Sequence, residues 1–209
     1  MAEQRALWYF ADPMCSWCWG FAPVISAIRE TYADRLQLML VMGGLRPGTR
    51  EPVTARFREE ILHHWREVQR RSGQPFKLDG ALPDGFVYDT EPACRAVVSV
   101  SDLNRDAAFP YFKSVQAAFY ADGQDVTQAQ TLARLAEPLG IDPERFLARF
   151  QSEEAKQATR AHFRQTAESG VRGFPTAVLQ DDSGFALVTH GYAPLERLTP
   201  TIERWLVRA

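Results

Sequence analysis

Tyr9-Phe10-Ala11-Asp12-Pro13-Met14-Cys15-Ser16-Trp17-Cys18-Trp19-Gly20-Phe21 sets a pair of thiols at the junction of two local structures. Leu7 to Phe10 is a short apolar run closed by Asp12-Pro13, which reads as a buried strand entering a turn. From Cys18 onward the apolar positions Phe21, Val24, Ile25, Ile28 and Tyr32 recur at spacings of three and four, the pattern of a helix with one buried face. The C-x-x-C therefore opens a helix at the end of a strand. On one face of a first turn the two thiols can close a disulfide with little movement. Backbone N–H groups and the positive end of the helix dipole favour a thiolate at Cys15, whereas Cys18 is carried deeper and is more shielded. That asymmetry suits dithiol exchange, with Cys15 attacking a substrate disulfide and Cys18 resolving the mixed disulfide. Half of a zinc site is the competing reading, but there is no second C-x-x-C, and His63, His64, His162 and His190 lack a matching spacing. No metal is expected.

Outward from this core, Leu36 to Met42 is a second strand candidate, ended by Gly43-Gly44. A strand, helix, strand order implies a parallel pair with a right-handed crossover. The texture then turns helical, with one stripe at Phe57, Ile61, Trp65 and Val68 and another at Cys94, Val97 and Val98. Further stripes fall at Phe112, Val115 and Phe119, and at Leu132, Leu135 and Leu139. Pro92 after Thr90, Thr127, and Asp142-Pro143 mark helix starts. The region from about Glu51 to Ser169 is thus expected to be all-helical. Strand character returns in Thr176 to Leu179 and Phe185 to Thr189, joined by the turn-rich Asp181-Asp182-Ser183-Gly184. Leu195, Leu198, Ile202 and Trp205 predict a closing helix broken or restarted at Pro200.

A chain of 209 residues fits one domain carrying a large insertion. It should bury about 70% of the surface of its unfolded form, so it folds without metal or disulfide staples and its three cysteines are free for chemistry. The balance of 24 basic against 26 acidic residues gives no overall positive field to recruit nucleic acid or anionic lipid. The longest apolar stretch, from Leu38 to Leu45, falls far short of the ~18 residues of a spanning helix. The first residues lack the basic start, apolar segment and cleavage site of a secretory signal, so a cytoplasmic protein is expected.

The quoted stretch resembles the active-site strand, turn and helix of the DsbA-like branch of the thioredoxin superfamily, specifically the intracellular FrnE-like proteins described as disulfide isomerases. Gly43-Gly44-Leu45-Arg46-Pro47-Gly48 is similar to their glycine-rich segment after the second strand, and Thr90-Glu91-Pro92-Ala93-Cys94-Arg95-Ala96 to a helix start in their insertion. Gly170-Val171-Arg172-Gly173-Phe174-Pro175-Thr176 resembles the family's loop with a cis-proline opposite the cysteines. The resemblance implies an α/β, thioredoxin-like fold interrupted by an all-helical insertion. Residues 1–48 and 170–209 would form the thioredoxin-like domain and residues 49–169 the insertion, packed over the cysteines. It also implies a cis Phe174-Pro175 bond that leaves backbone groups free to pair with an extended substrate, with Phe174 shaping selectivity. Trp17 is a candidate substrate platform beside the thiols.

The function implied is thiol–disulfide oxidoreduction, reducing or isomerising disulfides of proteins or small thiols. No cofactor beyond the Cys15–Cys18 pair is expected, and glutathione is a candidate reductant. Ser16-Trp17 matches neither the Pro-His of strongly oxidising relatives nor the Gly-Pro of thioredoxins, so the redox direction stays open. Two other function classes remain. One is glutathione-dependent transfer or isomerisation of the kappa and hydroxychromene carboxylate isomerase type, whose members carry serine where Cys15 stands. The other is a non-enzymatic DsbA-like adaptor. Trp19 reads equally as part of the Trp17 platform or as core, Cys94 as core, Asp12 first as a turn residue and second as a group that tunes or accepts a proton near Cys15, and His63-His64 as solvated surface. Arg46 and Arg95 would line the site under the family layout.

Overall fold

The computed structural model describes residues 5–207. Strand β1 (Ala6–Ala11) pairs in parallel with β2 (Gln37–Met42) and antiparallel with β3 (Thr176–Asp181), which pairs antiparallel with β4 (Gly184–His190). All four lie in one sheet of order β2-β1-β3-β4. Leu7, Tyr9 and Ala11 alternate onto one face, and the buried stripe Cys18, Phe21, Ile25 and Ile28 of helix α1 (Ser16–Thr31) joins them in one core. Thus the first strand–helix–strand unit and the last hairpin, far apart in sequence, make one layer.

Between β2 and β3 run α2 (Ala55–Ser72), α3 (Glu91–Leu103), α4 (Ala108–Tyr120), α5 (Ala129–Ala136), α6 (Pro143–Gln151) and α7 (Glu153–Glu168). Three of these are capped from their own sequence: the side chains of Thr54, Asp142 and Ser152 accept from the backbone N–H three residues on. The segment is not helical throughout, because residues 73–90 form no helix and carry an isolated bridge, Pro52 to Val87. Nor does Thr127 open a helix. It is drawn into a turn by Asp125, whose carboxylate accepts from its N–H and hydroxyl, and α5 starts at Ala129. Leu139 falls past α5 in a short 3-10 turn.

Two helices carry a proline in their interior. In α1, Pro23 has no N–H to give the Trp19 carbonyl, and Gln74 Nε2 supplies the missing donor at 3.0 Å. In α8 (Leu195–Val207) the chain passes Pro200 unbroken, contrary to the expected interruption. The carbonyl left without its usual donor belongs to exposed Glu196, where water can serve it. No helix among the described residues is long and apolar enough to cross a membrane.

Candidate functional site

Cys15 is the N-cap of α1, and its backbone N–H donates to the Asp12 carbonyl at 3.1 Å, closing the turn that leaves β1. Cys18 lies one turn deeper and is wholly buried, while Cys15 keeps about 5% of its surface exposed. None of the three cysteines is in a disulfide. The Phe174–Pro175 peptide is cis, and the Cys15 thiol donates to the Phe174 carbonyl at 3.6 Å across 159 residues of chain. Burial pushes the Cys18 thiol well above its ordinary value, with neighbouring Cys15 and the Asp12 charge adding to the effect.

Asp12 has no exposed surface. Its Oδ1 accepts from Met14 N at 2.8 Å, and its Oδ2 accepts from Leu45 N at 2.6 Å and from the Cys94 thiol at 3.4 Å. One carboxylate therefore holds the active-site turn, the glycine-rich loop after β2, and α3 of the inserted segment together. Burial raises its proton affinity, partly offset by those donors. Cys94 is core, as read from its stripe, but a core residue with a polar duty. Burial and then the Asp12 charge push its thiol up, keeping it protonated and donating.

Gly43 explains how the Phe174 loop comes so close. A Cβ there would sit 2.1 Å from the Phe174 ring, so the ring occupies the space where any other residue would carry a side chain. Trp17 lies half-buried at the rim, edge-on to His64 at 5.6 Å, beside Tyr192 at 5.7 Å and under the Arg71 guanidinium at 5.0 Å. Trp19 points the other way, stacking on Tyr120 and donating from Nε1 to the Pro75 carbonyl at 2.9 Å, so it belongs to the contact with the inserted segment. Arg95 does not line the site. It pairs with Glu91 at 2.9 Å, donates to the Phe150 carbonyl at 2.8 Å and lies over the Phe150 ring. Arg46 is closer, its guanidinium over Phe57 and near Tyr88, whose hydroxyl donates to the Met14 carbonyl at 2.6 Å.

Among the described residues no group of three or more His, Cys, Asp or Glu side chains is arranged to hold a metal ion. The long-range ties of Asp12, the Tyr88 contact and the role of Gly43 were not read from sequence. Only the Asp-Pro turn and the Gly-Gly pair gave a local sign of them.

Residues 6–203 match the family described as DSBA-like thioredoxin domain. A solved structure from Nitrosomonas europaea, described as a candidate protein disulfide isomerase, is 48% identical with TM-score 0.93, covering 99% of both chains. The cytosolic disulfide reductase DsbM from Pseudomonas aeruginosa is 27% identical with TM-score 0.81, covering 98% of this chain and all of that one. It has also been solved with GSH. A curated relative from Halalkalibacterium halodurans, named ClpXP adapter protein SpxH, is 24% identical over 85% of this chain. This chain spans about three fifths of that relative's length, with 59% covered.

Proposed function

The chain belongs to the DSBA-like thioredoxin domain family, and on that premise we propose that it is a thiol–disulfide oxidoreductase working as a reductase or isomerase, with Cys15 as nucleophile and Cys18 as resolving thiol. The observation that carries this reading is the asymmetry of the pair: Cys15 caps α1 beside the Phe174 carbonyl, and Cys18 is sealed one turn deeper. In the first step the Cys15 thiolate attacks a substrate disulfide, forming one S–S bond and releasing one substrate sulfur as thiolate. In the second, Cys18 attacks the Cys15 sulfur, forming the internal disulfide and releasing the other substrate half as a thiol. The substrate is reduced by two electrons and the pair is oxidised.

Substrates are disulfides of proteins or small thiols. Phe174 and Pro175 present backbone to an extended substrate segment, and Trp17 offers an apolar flank. Glutathione is the favoured reductant for the oxidised pair, supported by the Pseudomonas relative solved with GSH, and that relative's description as cytosolic supports a cytoplasmic setting.

Insulin reduction and trapping test this reading. The wild type should reduce insulin disulfides, Cys18→Ser should accumulate mixed disulfides seen by mass analysis, and Cys15→Ser should form none. Equal activity in both single variants overturns the role assignment. Activity left intact by the loss of Cys18 would point instead to glutathione-dependent transfer or isomerisation. The SpxH relatives favour a second reading, an adaptor that presents a client to a protease. That reading predicts no insulin reduction by the wild type and binding of a client unaffected by Cys15→Ser.

A further inference from the structure

Tyr9 lies on the inner face of β1, wholly buried, with its ring 6.0 Å from Phe21 and edge-on to Phe112 at 6.0 Å. Phe21 stands one helical turn after Cys18 on the same face of α1, and Tyr9, Cys18 and Phe21 share one buried core. Other buried tyrosines have conventional partners: Tyr88 donates to the Met14 carbonyl at 2.6 Å and Tyr111 to the Leu132 carbonyl at 2.8 Å. The buried Tyr9 hydroxyl has no hydrogen-bond partner. Burial pushes its proton affinity up, and the polar groups that add to this are the two active-site sulfurs, Cys18 ahead of Cys15. A buried hydroxyl without a partner is costly, and phenylalanine would fill the same space without that cost.

We propose that Tyr9 is a third working group of the redox site, its hydroxyl donating a hydrogen bond to the Cys18 sulfur as that sulfur becomes a thiolate in the resolving step. The inference rests on the dithiol reading above. In that step the Cys18–Cys15 S–S bond forms, the Cys15–substrate S–S bond breaks, and the departing substrate thiolate takes up a proton equivalent to the one Cys18 gives up. The titratable groups acting on Cys18 are Cys15 from its own helix and Asp12 from the turn, with Tyr9 facing it from β1. Behind these lie Cys94 of α3, held on Asp12, and Tyr88, whose hydroxyl is 3.4 Å from that of Tyr120 of α4. Burial raises the cost of ionising Cys18 most, Cys15 adds to it, and the Asp12 charge adds a smaller part against the Asp12 backbone, whose hydrogen bond lowers it. A neutral donor lowers that cost without adding a second charge to the pocket.

A single-turnover reaction of the reduced protein with a chromogenic aromatic disulfide separates the steps, because the first half released reports attack by Cys15 and the second reports resolution by Cys18. Tyr9→Phe should leave the first phase within about twofold of wild type and slow the second about tenfold, the loss of a hydrogen bond to an ionised group. The rise of the second phase with pH should move to higher pH. Should phenylalanine prevent folding, Tyr9→Met keeps an apolar, adaptable side chain and should show the same selective slowing. Unchanged second-phase rates, or equal slowing of both phases, overturn the proposal. Failure of the wild type to release the second half would instead overturn the dithiol reading itself.

Discussion

At Gly43 the missing side chain is itself a structural feature. Its backbone is not in the left-handed region, so alanine would fit the local conformation, and the obstacle is the Phe174 ring 2.1 Å from the added carbon. Gly43→Ala is therefore expected to cost about 1–3 kcal/mol of stability by overpacking. It should also lower reductase activity by displacing the carbonyl that meets Cys15. Adding Phe174→Leu should restore part of the stability, since the two changes share one contact. Additive losses in a urea-unfolding cycle would sink this account. Asp12 shows what a residue-level reading can and cannot reach. Its Asp-Pro context marks a turn, and the turn is there, yet its second oxygen serves Leu45 and Cys94, which no local pattern ties to position 12.

Helix α1 was legible as an element because its apolar positions repeat every three to four residues, and the two strands of the final hairpin because turn residues separate short β-rich runs. What escaped is where one element completes another. The gap that Pro23 leaves in α1 is filled by Gln74, from the non-helical stretch after α2. Gln74→Ala should leave the Trp19 carbonyl without a donor and destabilise the protein by about 1–3 kcal/mol. Denaturant midpoints would check it, and a shift below about 0.5 kcal/mol would argue that water replaces the amide. Pro200 is the converse case, a proline whose sequence context predicts a break but whose helix continues because solvent at Glu196 can serve the freed carbonyl. Proline in a helix is thus decided by what serves the carbonyl four residues back, information that belongs to the fold rather than to the segment.

Across the whole molecule, α7 returns from the inserted segment to clasp the end of β2: His162 Nδ1 accepts from Met42 N at 3.2 Å, and the Thr166 hydroxyl donates to the Met42 carbonyl at 3.2 Å. Accepting at Nδ1 keeps the ring neutral, and burial lowers its proton affinity against a weaker opposing pull from Asp102. The unfolded chain therefore binds a proton at this site, near pH 6.5, that the folded protein refuses, so stability should fall as pH drops through and below that value. Asp12, shifted upward, works in the opposite direction. Comparing wild type with His162→Asn, which keeps an acceptor but does not titrate, isolates the histidine. The variant should lose less stability between pH 7.5 and 5, and parallel curves would refute the clasp. The contact between Cys15 and Phe174, 159 residues apart, has a consequence for biosynthesis. At about 5–20 residues per second a ribosome needs roughly 10–30 s to travel from the first thiol to the loop that covers it. Throughout that interval the nascent chain carries Cys15 without the loop that meets it, so the thiol is open to exchange with other thiols and disulfides before its site is complete.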